Sequence, residues 1–74
     1  MEEQTRNALE IEKRFTYHAP KAGQPEKYVS IRNLAKDLAY LVDQLCPESR
    51  EKSTSLTKLD EVVMFANAAI ARNE

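Results

Sequence analysis

Apolar residues recur three and four positions apart along most of this chain, and three prolines cut the pattern into segments. From Pro25 to Leu45 the positions Tyr28, Ile31, Ala35, Leu38, Val42 and Leu45 keep helical spacing, with Leu34 and Leu41 widening the stripe. Pro25 suits a first helical turn, where a missing amide hydrogen is harmless, and Glu26 suits the positive end of the helix dipole. Cys46-Pro47 stops the pattern, because proline cannot continue the hydrogen bonding and disfavours helical geometry in the residue before it. A further helix is expected from about Ser49 to Arg72, on Leu56, Leu59, Val63, Ala66 and Ile70, broadened by Val62, Phe65 and Ala69. A weaker helix is expected over about 5–16, with Ala8, Leu9, Ile11 and Phe15 apolar.

These segments predict an all-α fold: a short N-terminal helix followed by a long antiparallel hairpin over 25–45 and 49–72, in one helical domain spanning 1–74. The short connection makes the two long helices antiparallel neighbours. Two long helices with broad apolar stripes cannot hide both by packing on each other and one short helix. A homo-oligomer is therefore expected. The run Ala66-Asn67-Ala68-Ala69-Ile70-Ala71 also suits close helix approach between subunits, or reflects helix propensity alone.

Composition sharpens this picture. A 74-residue chain buries only about 60% of its unfolded surface, so domains of this size often lean on disulfides, metals or association. Cys46 is the sole cysteine and His18 the sole histidine, so neither a disulfide nor a cysteine/histidine metal site can be assembled. Association is the support that remains. No apolar run approaches the roughly 18 residues of a membrane span, and the acidic start lacks signal-peptide character, so a cytoplasmic location is expected.

The formal net charge of −1 conceals an uneven distribution. Residues 13–32 carry Lys13, Arg14, Lys21, Lys27 and Arg32 against Glu26 alone, a local +4, while both flanks are acidic. A confined basic segment suits a compact anion better than a long polyanion, so no DNA or RNA polymer is expected as partner. Catalytic signatures are lacking: there is no phosphate loop, GxSxG or HExxH, and Cys46 and His18 lie in different connections. No enzymatic activity and no cofactor are expected.

The informative stretch is residues 15–28, FTYHAPKAGQPEKY, continuing to Arg32 one turn after Tyr28. Aromatic faces can stack nucleobases while arginine and lysine grip phosphates. The same residues also admit a structural role, with Tyr17 and His18 capping a loop and the lysines solubilising. Phe15 and Tyr28, in register with helical apolar positions, are assigned to the core.

This stretch, with Ile31-Arg32, the proline-terminated helix and the C-terminal EVVMFANAAIARNE, resembles the small phage anti-CBASS proteins that act as sponges for cyclic oligonucleotides. The resemblance covers about residues 14–74. It implies a non-enzymatic homohexamer built from dimers, which sequesters cyclic dinucleotides such as cyclic GMP-AMP in the cytoplasm of the infected bacterial host. On this resemblance Tyr17 stacks a base and Arg32 contacts phosphate, with His18 and Lys27 added as neighbours on their chemistry. Cyclic trinucleotides would bind at separate sites where subunits meet, and Arg72 carries over to that role. The competing expectation is a small helical phage module that binds a host protein through an apolar helix face.

Overall fold

The computed structural model describes residues 2–74, which form three helices, α1 (Glu2–Arg14), α2 (Gln24–Leu45) and α3 (Arg50–Asn73). Helix α2 starts behind Gly23, whose φ of 85° lies in the left-handed region that glycine enters without strain. Pro25 occupies its first turn, and it ends where the Cys46 amide donates to the Val42 carbonyl before Pro47. Helix α3 begins at the Ser49 N-cap, whose hydroxyl accepts from the Lys52 amide at 3.1 Å. With a four-residue connection, α2 and α3 form an antiparallel hairpin, the one extensive helix-on-helix packing among the described residues.

Helix α1 ends at Arg14 rather than Thr16, the end expected from the apolar spacing. The His18 ring supplies the reason. Its Nε2 lies 2.7 Å from the Lys13 carbonyl oxygen, which can only accept, so Nε2 carries a proton and donates. That carbonyl would take the residue-17 amide in a continuing helix. Phe15 therefore falls beyond the helical face that was to bury it, and at 82% exposure it is not a core residue of the chain. Tyr28 is half-buried.

The molecule is a thin, elongated layer measuring 51 × 30 × 15 Å. Its radius of gyration is 16.5 Å, against about 11 Å for a compact domain of this length. Consequently no apolar side chain among the described residues is fully buried. Leu34, Leu38, Leu41 and Val62 stand exposed around an apolar hollow between α2 and α3 that also includes Ile31, Leu59 and Val63.

The two buried side chains among the described residues are polar, Gln24 and Lys52, and each secures one end of the hairpin. At the turn, Lys52 Nζ donates to Glu48 Oε1 at 2.6 Å and to the Asp43 backbone oxygen at 2.9 Å, with Asp43 Oδ1 at 3.0 Å. The hydrogen bond to Glu48, followed by that to Asp43, raises the Lys52 pKa above its ordinary value of 10.5. A pKa raised by folding adds stability that is whole below about pH 10.5 and is lost as pH rises through the higher folded value. Lys52→Met should lower the thermal midpoint by several degrees at neutral pH while helical circular dichroism at low temperature is retained. The difference from the parent protein should shrink above pH 10.5; an equal melting temperature at pH 7 would contradict this role.

Candidate functional site

At the other end of the hairpin, the loop between α1 and α2 folds back onto the C-terminal turn of α3. Gln24 Oε1 accepts from the Lys21 amide at 2.9 Å, and Gln24 Nε2 donates to the Ile70 carbonyl at 3.4 Å and Glu74 Oε1 at 3.3 Å. Lys27 Nζ pairs with Glu74 Oε2 at 2.5 Å, and Lys21 Nζ donates to the Glu74 backbone oxygen. The Glu74 carboxyl is held below its ordinary range, first by the hydrogen bond from Lys27 and then by that from Gln24. On the other side, Lys13 Nζ donates to Asn73 Oδ1 at 3.2 Å. The loop carrying Tyr17 and His18 is thus tied on both sides to the ends of α1 and α3.

This folding-back creates an open groove of about 650 Å3, within the roughly 300–1,000 Å3 range of small-molecule sites. Tyr17, His18, Tyr28, Arg32 and Arg72 all line it. Tyr17 is 83% exposed, so its ring is free to receive a flat partner. His18 is half-buried, with Nε2 committed to the Lys13 carbonyl, which leaves Nδ1 as the ring atom for another interaction. Arg32 projects from α2 one turn beyond Tyr28, and no carboxylate among the described residues pairs with it.

Two positions differ in placement. Lys27 does not line the groove; it faces Glu74 at the hairpin end. Arg72 lines the groove and also a second hollow beside α1, which includes Phe65, Ala69 and Asn73. Arg14, Asn67, Ala68 and Ala71 are groove residues that sequence reasoning did not assign to a site. The small side chains of Ala68 and Ala71, read in the sequence as a subunit contact or a propensity signal, leave room here for the groove floor. Arg14 has its guanidinium Nε 3.2 Å from Glu10 Oε1, so its charge is partly balanced.

The fold and groove define the class first: a small all-α protein whose helical hairpin presents a cationic, aromatic cleft at one end. Residues 7–71 match the family described as "Acb2/Tad1, hairpin domain", and the chain belongs to that family. No curated protein and no solved structure matches significantly. Membership decides between the two readings left by the sequence. The protein is a non-enzymatic nucleotide sponge of the phage anti-CBASS type, with cyclic nucleotides as its partners, rather than a helical module for a host protein. No helix among the described residues is long and apolar enough to cross a membrane.

Proposed function

We propose that this sponge works as a homohexamer built from dimers in the cytoplasm of the infected bacterium, holding cyclic dinucleotides such as cyclic GMP-AMP without turnover. The observation that carries this reading is the meeting of Tyr17, His18 and Arg32 in one groove of a family member. Tyr17 stacks a base, Arg32 grips a phosphate with its planar fork, and His18 orients the ligand from the groove wall. Lys27, held by Glu74, adds positive potential from outside the groove lining. Cyclic trinucleotides are taken where subunits meet, with Arg72 contributing from the hollow beside α1.

The exposed surface supports assembly. The chain exposes 6230 Å2, whereas a compact monomer of this size exposes about 4,700 Å2. The excess is roughly 1,500 Å2, enough for two ordinary interfaces at about 800 Å2 per partner. A hexamer built from dimers needs at least two distinct contacts per subunit. It would also close the groove, and closure matters because nanomolar retention requires about −12 kcal/mol, more than exposed contacts supply. Size-exclusion chromatography with light scattering should give six chains per particle at micromolar concentration. A monomer there would contradict the assembly.

A further inference from the structure

Asn67 is the one polar residue in the run Ala66 to Ala71 of α3, and it lines the groove with Tyr17 and Arg32. Its Oδ1 is shielded from solvent and has no hydrogen-bond partner among the described residues. Buried polar atoms are overwhelmingly paired in folded proteins, so an orphan calls for an explanation. The fold provides none. Alanine is a better helix former than asparagine, its neighbours are already alanine, and no hydrogen bond among the described residues fixes the carboxamide. The terminal torsion of asparagine is broad and roughly twofold, so turning the carboxamide toward the groove breaks no existing bond.

A carboxamide places an acceptor beside a donor. Adenine presents the complement, its 6-amino donor beside a ring-nitrogen acceptor, whereas the corresponding edge of guanine offers two acceptors, O6 and N7. We propose that Asn67 sets base specificity in the groove, its carboxamide oxygen accepting from the 6-amino group of an adenine stacked at Tyr17. The inference rests on the groove being the dinucleotide site, and it adds a base preference to that reading. Adenine satisfies the orphan oxygen, while a base without the amino group leaves it unpaired.

The test is calorimetric titration of the parent protein and Asn67→Ala with cyclic di-AMP and with its analogue carrying unsubstituted purine, hydrogen replacing the 6-amino group. The parent should prefer cyclic di-AMP by about tenfold, the discrimination of one good base-edge contact. Asn67→Ala should bind both ligands with nearly equal affinity and melt no lower than the parent. The parent comparison requires no variant, so misfolding of Asn67→Ala could not protect the proposal. Equal binding of the two ligands by the parent, or an undiminished preference in Asn67→Ala, would overturn the assignment and leave the sponge site intact. Failure of the parent to bind any cyclic dinucleotide would overturn both.

Discussion

Arg32→Ala should weaken cyclic dinucleotide binding by roughly tenfold to a hundredfold, corresponding to the 1.5–3 kcal/mol of a hydrogen bond to a charged group. The prediction follows from its free guanidinium. Arg32 lies in the groove with no carboxylate partner among the described residues, so its charge is available to a phosphate without breaking an ion pair. Lys27 offers the contrast, because its ammonium is already engaged by Glu74. Lys27→Ala should therefore cost much less affinity than Arg32→Ala. Arg32→Lys should recover part of the loss, since charge is restored without the bidentate fork. Titration calorimetry at fixed salt checks all three, and normal binding by Arg32→Ala would remove this residue from the site.

Tyr17→Ala should cost about tenfold or more, from the 1–3 kcal/mol that stacking on one base supplies. Its ring is exposed and outside every helix, so removing it should leave helical content and melting temperature nearly unchanged. Tyr17→Phe should retain most of the affinity, because stacking uses the ring face rather than the hydroxyl. Near-parent affinity in Tyr17→Ala with an intact fold would contradict the stacking role.

Much of the fold was legible because the local signals agree. Pro25, Cys46-Pro47 and Ser49 mark helix ends that are also fixed by backbone geometry and capping bonds, so α2 and α3 lie close to the expected spans. The end of α1 was not legible, since it depends on a side chain five residues from the carbonyl it caps. That one contact also explains why Phe15 fits a helical stripe in the sequence yet lies outside it in the structure. The shortage of core was foreseeable from chain length and stripe width, and the absence of a fully buried apolar residue among those described is its structural expression.

The site was legible in part for a different reason. Tyr17, His18 and Arg32 belong to one continuous stretch, so residue type and charge clustering suffice to group them. Asn67, Ala68 and Ala71 reach the groove from about forty residues away, through the return of α3 alongside α2. In the sequence their run reads as a close helix contact between subunits or as helix propensity, and nothing local ties it to the loop that carries Tyr17. Lys27 shows the reverse. Its charge and position suggested a ligand contact, but the carboxylate that holds it, Glu74, is forty-seven residues distant in the chain.

Capture without chemistry is the central claim, and ligand recovery measures it most directly. The protein is mixed with cyclic GMP-AMP, freed of unbound ligand by gel filtration, heated to denature it, and the released material chromatographed against the intact standard. Intact cyclic GMP-AMP, in amounts that scale with the protein and fall sharply in Arg32→Ala, is the predicted result. Recovery of linear or cleaved products would mean that the protein is an enzyme, and the absence of retained ligand would mean that it is not a sponge for this messenger.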